Sequence, residues 1–119
     1  MKLLYLNSPW FELTMSGKKI YEGRRRTSNI DSIQIGDIVE IKHYVNRELE
    51  SYFVKIIDKL YFQTFEEALN KLNINEILPI ENIDINKGIE IYKQYVSIKT
   101  QEADGICMLK IELTEKIVN

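Results

Sequence analysis

The sequence predicts an α+β fold: a mostly antiparallel sheet, curled into a small β-barrel, with helices at its rim. Three observations predict it. "GICMLKIEL" alternates apolar and polar residues at the two-residue period of a strand. Phe65, Leu69 and Leu72, and later Ile85, Ile89, Tyr92 and Val96, recur at helical spacing. The elements run strand, short helix, strand, two strands, two helices, strand. Periodicity by itself supports α+β and does not establish the barrel.

Each element has a local reason. Lys2 to Leu6 is a short apolar run with strand character. Ser8-Pro9 reads as a helix start, with Ser8 as N-cap and Pro9 at the first helical position, where its missing N–H costs nothing. That helix runs to about Ser16, with Trp10, Leu13 and Thr14 on one face and Gly17 as a left-handed C-cap. Lys19 to Arg24 is extended, so Ile20, Glu22 and Arg24 point one way and Lys19 and Tyr21 the other. Thr27 to Ser32 is polar and reads as a loop. A Gly36-Asp37 turn leads into a strand with Val39, Ile41 and His43 on one face. "VNREL" reads as a hairpin turn, and Ser51 to Leu60 as the returning strand, with Tyr52, Val54 and Ile56 on one side.

Thr64 is an expected N-cap, with Glu67 completing a capping box and acids in the first turn. A loop through Leu78-Pro79 ends that unit, and a further helix spans about Ile83 to Tyr95. The last strand reads as half-buried: Cys107, Leu109, Ile111 and Leu113 face one way, Met108, Lys110 and Glu112 the other.

Composition narrows the class. Residues 1–119 suit one domain with one core. No apolar run approaches the roughly 18 to 20 residues of a membrane helix. The N-terminus lacks the apolar stretch and cleavage site of a signal peptide. Cys107 is the only cysteine, which excludes an intrachain disulfide and a cysteine-based zinc site. A reducing, cytoplasmic location is expected. No phosphate-binding GxxxxGK[ST] loop, GxGxxG or HExxH occurs. No cofactor, metal or membrane partner is expected.

The net charge is −2, yet it is unevenly spread. Residues 17 to 26 hold Lys18, Lys19, Arg24, Arg25 and Arg26 against Glu22, a local balance of +4 on an acidic background. That distribution fits a confined anion site better than a long electrostatic track. His43, the only histidine, reads as a half-buried strand residue, and Cys107 as a small core residue.

The remaining candidates are Lys19, Glu22, Arg24, Tyr95 and Ser97, with Trp10 as a wall. Arg presents a rigid fork to a phosphate, carboxylate or base edge. Lys serves as a point charge, or as a general base where desolvation and a cationic neighbour lower its pKa. Glu orients a water, accepts from an exocyclic amine, or neutralises Arg. Spacing alone leaves open whether Glu22 and Arg24 are a functional or a structural pair.

These residues carry a resemblance. "PWFELTMSGKKIYEGR" is similar to the opening of ASCH domains, a short helix with an aromatic followed by G-x-K-x-x-E-x-R. Gly17, Lys19, Glu22 and Arg24 match it. "IQIGDIVEI", "YFQTFEEALNKL" and "IYKQYVSIKTQEADGICMLKIEL" resemble the family's later segments, in the same order. The resemblance implies a PUA-like β-barrel whose cleft is lined by Lys19, Glu22 and Arg24, with Ser97 carried over from a Tyr-Ser element. It implies binding of RNA or a nucleotide-like ligand. Some relatives are enzymes: one branch is an amidohydrolase acting on acetylcytidine and another has ribonuclease activity. Two departures stand out. Where the amidohydrolase branch has Thr, this chain has Glu22, so that hydroxyl nucleophile is missing. The aromatic expected directly before Ser97 is Val96, with Tyr95 one step earlier.

The leading expectation is therefore an RNA- or nucleotide-binding module. Lys19, Glu22 and Arg24 would form the cleft, Trp10 or Tyr95 would stack on a base, and Lys18, Arg25 and Arg26 would contact phosphates. The alternatives are a small hydrolase of modified nucleosides or a ribonuclease, with Lys19, Glu22 and Ser97 as its catalytic set, and a regulatory interaction domain without a small ligand.

Overall fold

The computed structural model describes residues 2–45 and 47–114. The elements are β1 (Lys2–Tyr5), α1 (Trp10–Met15), β2 (Tyr21–Arg25), α2 (Ser28–Ser32), β3 (Ile38–Val45), β4 (Glu48–Phe62), α3 (Phe65–Lys71), α4 (Ile74–Ile77), α5 (Ile85–Lys93), α6 (Ile98–Asp104) and β5 (Ile106–Thr114). Five strands form one sheet in the order β1-β3-β4-β5-β2. Only β1–β3 is parallel; the other three pairings are antiparallel. The sheet curls into a half-barrel. Its edge strands β1 and β2 approach closely enough for Arg24 Nη2 to donate to the Tyr5 carbonyl at 2.6 Å. A register shift between Ile56 and Asp58 bends the long strand β4.

Two hydrophobic cores lie against this sheet. One packs Val39, Ile41, Val54 and Ile56 with Phe11 and Leu109. The other packs Phe65, Leu69 and Tyr92 from the helices against Tyr21, Ile106 and Met108 from the sheet. Trp10 touches both. Strand β5 is shared between them. Cys107, Leu109 and Ile111 enter the first core, while Ile106 and Met108 enter the second. The expectation of a half-buried last strand is corrected at this end: helices cover the second face, so residues 106–109 are all buried. Lys110 and Glu112 reach the water as expected.

Other differences have local causes. Ser8 does not cap α1, because its hydroxyl donates instead to the Glu12 carboxylate at 2.8 Å. Pro9 occupies the N-cap position without a side-chain bond, and the Ser8-Pro9 peptide is cis. The buried face of α1 is Phe11 and Thr14, with Trp10 only partly covered. Tyr52 fastens the helix by donating its hydroxyl to the Phe11 carbonyl at 2.7 Å. Gly17 does end α1 with φ +82, and its turn lets the N–H groups of Lys18 and Lys19 both reach the Leu13 carbonyl.

The segment expected as a loop at 27–32 holds α2, whose N-cap Thr27 accepts from the Ile30 N–H. Helices α4 and α6 likewise stand where none was expected, capped by Asn73 and Ser97. Strands β3 and β4 form the expected hairpin, although Asn46 of its turn lies outside the described residues. Thr64 caps α3 as expected, whereas Glu67 reaches back to the Gln63 N–H instead of that of Thr64. Gln101, 1% exposed, accepts from the Phe65 N–H at 2.8 Å and donates to the Val96 carbonyl at 2.9 Å. It thereby locks α6 to the start of α3 and fixes Phe65 under the site. No helix among the described residues is long and apolar enough to cross a membrane.

Candidate functional site

A cavity of about 400 Å³ opens where β2, the end of β1 and helix α5 converge. That volume falls in the range of small-ligand pockets. Its walls include Trp10, Phe65, Leu78 and Ile91, and its polar lining includes Asn7, Thr27 and Asn29. Tyr95, mostly exposed, also lines it.

Lys19 lies just before β2, so strand alternation does not govern it. It was expected to point away from Glu22. Instead the Gly17 turn sends it inward, where it is 3% exposed. Its Nζ donates to the carbonyls of Tyr21 and Ile77, both at 2.6 Å, and stands 3.6 Å from Glu22 Oε1. It also sits 5.7 Å from the centre of the Trp10 ring. Burial strips water from the ammonium and lowers its pKa; the Glu22 carboxylate works against that shift.

Glu22 is 8% exposed and accepts from Arg24 Nε at 2.6 Å. Arg24 thus has Nε on Glu22 and Nη2 on the Tyr5 carbonyl. Its Nη1 has no hydrogen-bond partner among the described residues. Between these two residues stands Gly23. A Cβ added there would come 2.7 Å from Phe65 Cε1 and 2.9 Å from both Met108 Sδ and the Tyr92 hydroxyl oxygen. Only glycine lets β2 lie this close to the stacked Phe65 and Tyr92 rings, whose centres are 3.9 Å apart.

Tyr92 was read only as part of the apolar face of a helix. It lines the cavity, yet its hydroxyl has no hydrogen-bond partner among the described residues. Burial, reinforced by the Glu22 charge, pushes its pKa well up, so the hydroxyl keeps its proton as a donor. The one hint in the sequence was a hydroxyl on an otherwise aliphatic stripe.

The structure brings Trp10, Lys19, Glu22, Arg24, Arg25 and Tyr95 to the cavity. It does not bring Ser97, Lys18 or Arg26 to that lining. The Ser97 hydroxyl accepts the Thr100 N–H at 3.2 Å and bonds to Thr100 Oγ1 at 2.9 Å, the work of an N-cap. Arg25 pairs with Asp104 at 2.8 Å. Arg26 pairs with Asp31 and lies 4.6 Å over the Tyr61 ring. Outside the cavity, His43 Nε2 is 3.3 Å from Ser8 Oγ, but the acid Glu12 contacts the serine and not the imidazole. That order is not the one a nucleophilic triad needs. Cys107 is buried, and desolvation raises its thiol to about 11, which leaves it unreactive near neutrality.

Comparison with known proteins agrees with this architecture. The family model of the ASCH domain matches residues 4–115. No curated protein matches the chain. The crystal structure of hypothetical protein PH0355 superimposes with a TM-score of 0.82 at 27% identity, covering 96% of this chain and 100% of that one. The solution structure of protein PF0455 from Pyrococcus furiosus shares the fold with a TM-score of 0.74 at 23% identity, covering 97% of this chain and 98% of that one. The pattern Gly17, Lys19, Glu22, Arg24, the curled five-stranded sheet and the match over nearly the whole length agree: the chain belongs to the ASCH domain family, whose fold is PUA-like.

Proposed function

We propose that this protein binds RNA, or a nucleotide-type ligand, in the cavity beside β2. Membership in a PUA-like family points to RNA binding as a class. The observation that carries the proposal for this chain is the Glu22–Arg24 pair, held between an apolar cavity wall and water. Glu22 orients the Arg24 guanidinium and accepts from a base amine. Trp10 and Tyr95 offer rings on which a base stacks. Lys18, Arg25 and Arg26 lie outside or at the edge of the cavity and contribute backbone contacts in this reading, Arg25 and Arg26 only by sharing themselves with Asp104 and Asp31.

The hydrolase reading has one observation on its side, the lowered pKa of Lys19, which favours the neutral amine that a general base needs. Against it, the Lys19 ammonium already faces two carbonyls and Glu22, and Ser97 lies off the cavity lining.

RNA oligomers and acylated cytidine separate these readings when offered to wild type, Lys19→Ala, Glu22→Gln and Arg26→Ala. Binding that weakens with salt, without turnover, is the expected result. Loss of a charged hydrogen-bond acceptor in Glu22→Gln is expected to weaken binding about tenfold or more. Turnover abolished in a Lys19→Ala variant that is folded by circular dichroism, and retained in Arg26→Ala, would favour the enzyme. If Glu22→Gln is folded by circular dichroism and binds like wild type, the cavity is not the binding site.

A further inference from the structure

The cations of the cavity are already engaged. Lys19 Nζ donates to two carbonyls and faces Glu22. Arg24 uses Nε and Nη2 on Glu22 and Tyr5. Arg25 is held by Asp104. A phosphate entering the cavity would approach the Glu22 carboxylate and would find Arg24 Nη1 as its charged donor. Burying a dianion on so few donors, next to a carboxylate, is costly.

The groups with capacity left describe a different ligand. Tyr92 is 7% exposed, lines the cavity and keeps its hydroxyl proton unmatched. Arg24, whose Nη1 has no hydrogen-bond partner among the described residues, lies on the same lining as a second donor. Glu22 Oε1 is the acceptor, since its 3.6 Å separation from Lys19 Nζ is too long for a hydrogen bond. Two donors and one acceptor, set among Trp10, Phe65, Leu78 and Ile91, match a flat uncharged group with polar atoms along one edge.

We infer that the cavity takes the uncharged edge of a nucleobase, an N–H donor beside an acceptor atom, and that the phosphates of the ligand stay outside it. This rests on the nucleic-acid reading above. In this arrangement Glu22 receives the N–H of the base, and Tyr92 and Arg24 Nη1 donate to its acceptor. Lys19 is a positioning residue: it holds the carboxylate and the walls in place and does not touch the ligand.

The test is calorimetric titration of the intact chain with the four common ribonucleosides, their 5′-monophosphates, an RNA oligomer and inorganic phosphate. At least one nucleoside is expected to bind within about threefold of its monophosphate, a gap of well under one decade in affinity. Millimolar inorganic phosphate is expected not to displace it. Tyr92→Phe keeps the ring that stacks on Phe65 and removes only the hydroxyl. It is expected to weaken the nucleoside about 2- to 10-fold, the worth of one neutral hydrogen bond. If monophosphates and RNA bind but no nucleoside does, or if phosphate displaces the ligand, this inference fails and the nucleic-acid reading stands. A nucleoside that binds Tyr92→Phe as tightly as wild type also overturns the assignment of the edge. If RNA, nucleotides and nucleosides all fail to bind, both readings fall together.

Discussion

Lys19 and Arg26 belong to one basic run and occupy opposite environments. Lys19 is almost wholly buried, with two carbonyls and a carboxylate around its ammonium. Arg26 is exposed, pairs with Asp31 and rests on the Tyr61 ring. Arg25 beside it is likewise exposed and paired, with Asp104. Positive charge counted along the chain is therefore a poor measure of positive charge on the surface. Aspartates from elsewhere neutralise two of the five cations, and a third is sealed inside. What the inner cation supplies is organisation of an acidic group; the outer ones close local contacts between α2, α6 and the end of β2.

Three substitutions sharpen this contrast. The largest effect is expected at Lys19. Lys19→Ala removes one partner of a buried pair and leaves the Tyr21 and Ile77 carbonyls without their donor, at a cost of about 3–5 kcal/mol. A urea melt checks it, and a midpoint no lower than that of Arg25→Ala would mean that the buried ammonium does not organise the site. Gly23→Ala comes next. Its methyl group would strike Phe65, Met108 and Tyr92, an overpacking worth about 1–3 kcal/mol. If the variant melts like wild type, the close approach of β2 to the ring pair is looser than described. Arg25→Ala is expected to be the mildest, at about 0–1 kcal/mol for an exposed pair, and insensitive to added salt only if the Asp104 contact contributes nothing.

Much of the fold was legible where a pattern ran longer than two turns or five strand residues. Thr64 as N-cap, the Phe65-Leu69-Leu72 stripe and the Val39-Ile41 alternation all read correctly, while the capping box does not close because Glu67 accepts from the Gln63 N–H. The short helices α2, α4 and α6 were not legible, since none of them carries an i, i+4, i+7 apolar stripe like Phe65-Leu69-Leu72. Their N-caps Thr27, Asn73 and Ser97 were the available signal, and Ser97, expected at the site through the Tyr-Ser element of the resemblance, is an N-cap instead. The cavity set Lys19, Glu22 and Arg24 was legible from the motif, but not its wiring. Lys19 meets the Ile77 carbonyl, and Tyr92 meets Gly23, across separations that only the packed fold defines. The second face of β5 was missed because alternation reports which residues share a side, not what later covers it.

In the proposed reading Arg24 joins two tasks that many proteins divide. Its Nη2 spans the open seam of the half-barrel to the Tyr5 carbonyl, while its Nη1 has no hydrogen-bond partner among the described residues and is the donor assigned above to the base. Mutation cannot tune one without disturbing the other. A change that frees this guanidinium for tighter capture loosens the seam, and a change that tightens the seam withdraws a donor from the cavity. Drift in ligand preference within such a scaffold is then expected to proceed through other lining positions, such as Asn7, Tyr92 and Tyr95, where no strand edge is at stake.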